Sequence, residues 1–113
     1  MSSYYRGILA EHISKFLLLI KGYKILKTRF KTKVGEIDLI CYKKNTVIFI
    51  EVKSRKNREQ FLDIITHKQE QRIIKASQIF LRNKKLNNAP IRYDVIFITL
   101  PFHIQHITNA FPT

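Results

Sequence analysis

Residues 35–55, GEIDLICYKKNTVIFIEVKSR, hold Glu36, Asp38, Glu51 and Lys53 in a spacing that can do chemistry. Carboxylate oxygens are hard donors that hold a divalent cation. An ammonium beside them can orient a water and offset the charge that builds on a phosphorus centre. An acid, a hairpin turn and then acid-x-lysine is the pattern of metal-dependent phosphodiester cleavage, provided that two strands bring its halves together.

The elements that would do so are legible. Residues 36–42 and 46–53 are rich in β-branched and aliphatic side chains and read as two strands. Lys44-Asn45 makes a two-residue turn if Asn45 takes a positive φ. Tyr42 then faces Val47 and Ile40 faces Phe49. Two steps on, Asp38 faces Glu51 and Glu36 faces Lys53. Carboxylates directly opposite one another on a sheet repel. A chain with 8 acidic and 21 basic residues has nonetheless set two acids together. A cation between them, with Lys53 alongside, explains this economically. A partly exposed hairpin whose acids pair with nearby lysines is the competing account.

Length and composition bound the rest. The 113 residues suffice for one domain, residues 1–113, with a single sheet-and-helix core. A formal charge of +13 points to a polyanionic partner, nucleic acid before an acidic membrane surface. The single cysteine, Cys41, falls inside a strand and reads as a small buried hydrophobe, so a reducing cytoplasm is the simplest compartment. The apolar run 16–20 is too short to span a bilayer. Glu11, His12 and Lys15 interrupt any signal peptide, so neither secretion nor membrane anchoring is expected.

Residues 4–21 fit an amphipathic helix with Ile8, Leu9, Ile13, Phe16, Leu17 and Ile20 on its apolar face, Ser2 or Ser3 at its start and Gly22 at its end. Glu11 reads from spacing as a surface acid. Residues 23–30 read as a strand, continued by the basic Lys31-Thr32-Lys33. Lysines there can hold phosphates beside the acidic hairpin, or they can simply protect a sheet edge. Phe61 to Ile65 form a short apolar patch. Thr66 and Gln69 form a capping box for a helix reaching Asn83, which buries Ile73, Ile74, Ala76, Phe80 and Leu81. Residues 91–100 make a final, interior strand in which Asp94 pairs with an arginine for a structural purpose. After Pro101 the chain reads as a surface tail, with His103 and His106 able to suit a metal only if helical.

Gly7, Ala10 and Glu11, then GYKIL (22–26), GEIDLI (35–40) and FIEVKSR (49–55), resemble the YraN family. Lys68-Gln69 with Arg72, RYDV (92–95) and ITNAF (107–111) look like its later blocks, so the likeness covers nearly the whole chain. YraN proteins resemble PD-(D/E)xK nucleases and, among those, the archaeal Holliday-junction resolvases. The resemblance implies an α/β fold, a single-domain restriction-endonuclease-like αβββαβ core with a mixed sheet flanked by helices. It places Asp38, Glu51 and Lys53 at the nuclease motif, Glu11 at a helix acid near the metal, and Gln69 at a supporting polar position. Ile37 stands where that motif often has proline.

The expectation is a metal-dependent endonuclease on structured or branched DNA. Asp38, Glu51 and the Val52 carbonyl would hold Mg²⁺, with Mn²⁺ as the alternative, and Lys31, Lys33, Arg55, Lys56, Arg58, Lys68 and Arg72 would contact phosphates. A nucleic-acid-binding module of the same fold, with cleavage absent or vestigial, is the other reading. A third treats the chain as an interaction partner of DNA- or RNA-processing machinery, and a homodimer would suit paired cuts.

Overall fold

Ser2 begins the first helix: its hydroxyl accepts the Tyr5 N–H at 3.3 Å, and α1 (Ser3–Ile20) runs on to Gly22, whose φ of 88° reverses the chain. The computed structural model describes residues 2–56, 65–99 and 103–111. A meander of β1 (Lys24–Lys31), β2 (Glu36–Lys43) and β3 (Thr46–Arg55) follows, then α2 (His67–Asn83), β4 (Ile91–Thr99) and β5 (His103–Ile107). One sheet results, in the order β1-β2-β3-β4-β5. Its β3–β4 pairing is parallel, and α2 supplies the crossover that parallel neighbours require. Through β4 this is the expected αβββαβ order, a mixed sheet with a helix on each face.

The hairpin at the centre forms as its sequence demands. Lys44 and Asn45 both take left-handed backbone angles (φ 49° and 64°), the mirror-image turn that matches strand twist. Tyr42 pairs with Val47 and Ile40 with Phe49. Strand β1 starts one residue later than expected and bulges between Ile25 and Lys27. It also stops at Lys31 rather than continuing through Lys33. There the Thr32 hydroxyl accepts the Val34 and Gly35 N–H groups and donates to the Gly35 carbonyl, which closes a turn.

Alternation along the strands divides the core in two. Ile37, Ile40, Val47, Phe49 and Tyr93 meet Ile73, Ala76, Phe80 and Leu81 of α2. Leu39, Cys41, Ile48, Ile50, Ile96 and Ile98 meet Ala10, Ile13 and Leu18 of α1. Helix α2 is capped as expected, the Thr66 hydroxyl accepting the Gln69 N–H and the Gln69 side chain accepting that of Thr66. The expected face of α1 is only partly right: Ile13 packs against the core and Ile8 and Leu17 are half-buried, but the centre of the buried face lies elsewhere. Ala10, Ser14 and Leu18 are buried, whereas Leu9, Phe16 and Ile20 are exposed. The helix is apolar nearly all round, so periodicity could not single out one side, and its small residues let it approach the sheet. The 61–65 patch lies outside the described residues except for Ile65.

The expected surface tail is instead an edge strand. Strand β5 pairs antiparallel with β4, and the His106 side chain is nearly buried. Asp94 explains this. It is fully buried and accepts two hydrogen bonds from Arg92 at 2.8 Å, one from His106 Nε2 at 2.9 Å and one from the Asn109 N–H at 3.0 Å. Lys21 Nζ lies 3.0 Å from His106 Nδ1 and has only protons to offer, so that nitrogen accepts and Nε2 carries the hydrogen given to Asp94. One residue thereby ties α1, β4 and β5 together. Its sequence signal, His106 within the short HIQHI stretch, cannot be distinguished from a tail by periodicity.

Burial alone would raise the Asp94 carboxyl, but the hydrogen bonds from His106 and Arg92 outweigh it and hold the group below the usual carboxylate range. A depressed carboxylate contributes stability above its unfolded pKa and loses it as pH falls through the folded value. Asp94→Asn is expected to cost about 3–5 kcal/mol at pH 7. In urea unfolding, the wild type will lose more stability between pH 7 and pH 3 than this variant does.

Candidate active site at the splayed hairpin

Pairing between β2 and β3 ends at Leu39 and Ile50. The expected pairs Asp38–Glu51 and Glu36–Lys53 do not form as ladder partners. Asp38 Oδ2 instead accepts the Val52 N–H at 2.8 Å, a side chain standing in for a strand carbonyl. Across from Asp38, Arg29 takes a left-handed φ of 50° and falls out of the β1–β2 register, which runs from Thr28–Leu39 to Phe30–Ile37. Both irregularities meet at Asp38. A regular ladder would have turned Ile37 toward α1; it joins the α2 core instead.

Two clefts flank this splayed edge, one on each face of the sheet, and Glu36 borders both. The α1-side cleft, about 540 Å³, is bordered by Glu11, Arg29, Lys31, Asp38, Val52, Lys53 and Arg55. The α2-side cleft, about 410 Å³, is bordered by Lys33, Glu51, Gln69 and Arg72. Strict alternation would group Lys53 with Glu51; it borders the Asp38 side, where no strand covers that edge of β3. Gly35 makes the α2 side narrow. A Cβ on it would stand 2.5 Å from the Arg72 carbonyl oxygen, so only glycine lets the start of β2 come this close to the helix backbone.

Glu11 does reach the cleft, where Arg29 Nε holds it at 3.2 Å. Gln69 reaches the other cleft while its side chain serves the helix cap. Arg55 donates to the Ser54 carbonyl at 2.8 Å. Lys56 and Lys68 are exposed and border neither cleft, and Arg58 lies outside the described residues. Glu36, which alternation places on the Asp38 face, borders both clefts, whereas Arg29 and Arg6 join the α1-side cleft without having been singled out from sequence. Arg29 depends on a left-handed backbone angle within β1 that no spacing reveals.

Burial, then the hydrogen bond and negative charge of Asp38, push the Glu51 carboxyl up to about 9, against the pull of Lys53. Two acids therefore share a small space with one proton too many or one cation too few. Among the described residues no three His, Cys, Asp or Glu side chains gather as a metal cluster. The donors on offer are the carboxylates of Asp38 and Glu51 and the Val52 carbonyl. A strand residue sends its N–H and C=O to the same side, so that carbonyl faces the gap that Asp38 enters. All are hard oxygens, and the set fits Mg²⁺ or Mn²⁺ with water filling the remaining positions.

This fold and site define a small α/β domain with the restriction-endonuclease-like order of elements. The chain belongs to the uncharacterised protein family UPF0102, the YraN family, whose family model matches residues 10–98. A UPF0102 protein of Clostridioides difficile is 38% identical over 98% of this chain and 100% of its own length. Another from Bartonella bacilliformis is 41% identical, covering 96% of this chain and 92% of the relative. A third, from Mesorhizobium japonicum, is 37% identical over 96% and 88%.

The raised Glu51 pKa makes the stability of the fold depend on pH. Below the ordinary carboxylate range the group costs nothing; as pH climbs toward 9 the fold pays increasingly for keeping it protonated or charged. Glu51→Gln removes that cost. In chelator-treated protein the variant is expected to melt a few degrees above wild type at pH 8, with a smaller gain at pH 5. A wild type that is the more stable at pH 8 would mean that Lys53 holds Glu51 ionised.

Proposed function

We propose that the chain is a metal-dependent endonuclease that hydrolyses phosphodiester bonds in structured or branched DNA. The observation that carries this reading is Asp38 and Glu51 converging at a splayed strand edge with Lys53 beside them and basic side chains around both clefts. Bound at Asp38, Glu51 and the Val52 carbonyl, Mg²⁺ would supply charge neutralisation and Lewis acidity. The chain's own residues do the rest. Val52 fixes the Asp38 carboxylate through its N–H, and Lys53 orients the attacking water and offsets charge on the phosphate. Glu11 sets the position of Arg29. Lys31 and Arg55 on one side, and Lys33 and Arg72 on the other, lie where a backbone entering the clefts would bring its phosphates.

A net charge of +13 supports nucleic acid as the partner. No helix among the described residues is long and apolar enough to cross a membrane. Cys41 is free and buried, and burial followed by the charge of Asp94 pushes its thiol up to about 12, an inert group suited to the cytoplasm.

Cleavage of labelled duplex, single-stranded, flap and four-way-junction DNA, with Mg²⁺ or Mn²⁺, tests the reading. Cutting is expected to require the metal, to stop with chelator, and to fall about 100-fold or more in Glu51→Ala and Lys53→Ala. No cutting by any of the three proteins, with DNA binding intact, would replace the nuclease with a binding module of the same fold.

A homodimer goes with paired cuts, and the outward face of α1 supports it: Phe16 is 67% exposed, Leu19 56% and Ile20 68%. Sedimentation equilibrium is expected to give a dimer for wild type and a monomer for Phe16→Asp. A wild-type monomer at all concentrations would remove this arrangement.

A further inference from the structure

The α1-side cleft is roomier than a cation and one phosphate require; at about 540 Å³ it has the size of a site that takes a whole small molecule. Its helical wall is formed by Tyr4, Gly7 and Glu11, one face of α1, with Arg6 alongside. Three features of this wall do nothing for the fold. The Tyr4 ring is 70% exposed, and its one ring contact among the described residues is with Tyr5, 5.4 Å away between centroids. Gly7 sits within a helix, where glycine is a poor choice. Its φ is not positive, and a Cβ there would meet nothing within 4 Å, so neither conformation nor packing asks for glycine. Arg6 buries its Nε without a hydrogen-bond partner among the described residues.

We propose that this wall is a subsite for one unpaired nucleotide adjacent to the scissile phosphate. Tyr4 stacks on the base, the bare helix backbone at Gly7 lets the sugar lie close, and Arg6 meets the phosphate together with Arg29. Glu11 engages Arg29 through Nε, which turns the rest of its donor fork to the ligand. A phosphate alone gives an exposed aromatic ring nothing to do. A continuous duplex keeps its base faces covered by their neighbours, so the ring gains only from an unstacked base. The substrate class is therefore DNA with a single-stranded or splayed nucleotide at the cut. This rests on the nuclease reading for the position of the scissile phosphate, but not for binding.

Fluorescence anisotropy with one labelled oligonucleotide, single-stranded and as its duplex, at one salt concentration and in chelator, tests the subsite. Tyr4→Ala is expected to weaken single-strand binding roughly tenfold while leaving duplex binding within about twofold. Tyr4→Phe retains the preference. Gly7→Ala is expected to raise the melting temperature by a few degrees and yet weaken single-strand binding, a combination that a merely structural glycine would not give. Equal losses on both strand forms, or none in Tyr4→Ala and Gly7→Ala, would overturn the subsite. Cleavage of the same oligonucleotides with Mg²⁺ separates the two readings. Turnover that Glu51→Ala abolishes, with strand preference unmoved in Tyr4→Ala, keeps the nuclease and removes the subsite. A preference that falls in Tyr4→Ala in a protein that never cuts does the reverse.

Discussion

The Asp38 carboxylate accepts the Val52 N–H, and much of the site depends on this one bond. It lets β2 leave β3 after Leu39 and Ile50 without stranding a strand-edge donor, because the acid takes the place of the missing carbonyl. Once the strands part, the Val52 carbonyl is released into the gap and both faces of the sheet open toward one edge. A ladder that ran on would have closed the gap and held two carboxylates face to face.

The rest of the molecule holds that edge at a fixed separation. Each helix is anchored to its own half of the core, α2 through Ile73, Ala76 and Phe80 and α1 through Ala10 and Leu18. Gly35 brings β2 against the Arg72 carbonyl, so the width of the α2-side cleft is set by backbone contact rather than by flexible side chains. Asp94 does the corresponding work away from the clefts, where a carboxylate with four donors secures β5 and the end of α1. The chain uses buried acids in two opposite ways. Asp94 is fully compensated and held ionised, whereas Glu51 is left short of positive charge.

What the sequence discloses follows from the range of the interactions involved. The hairpin turn, the capping box at Thr66 and the apolar face of α2 are local or periodic and were readable, although Ile74 is only partly buried and the buried Ser77 carries no apolar signal. The pairing of Tyr42 with Val47 and Ile40 with Phe49 followed by counting from the turn. Counting failed two steps later, because Asp38 could bond to the neighbouring backbone and end the ladder, and no alternation pattern encodes that. The face of α1 was partly misread for a different reason. Its sequence is apolar on several sides, and the choice falls to Ala10 and Ser14, small enough to fit against the sheet. Strand β5 was missed because the reason for it is Asp94, twelve residues from His106 and silent about its partner. Membership of UPF0102 was legible through motifs rather than physics.

The near-uniform apolarity of α1 has a consequence for how the chain is made. Its buried side must meet β2, β3 and β4 together, and β4 follows every other element of that core in the sequence. During synthesis α1 leaves the ribosome before the strands it packs on and waits for the last of them while Phe16, Leu19 and Ile20 remain uncovered as well. The buried side of the helix therefore stays without its full apolar partner surface until α2 and β4 have emerged.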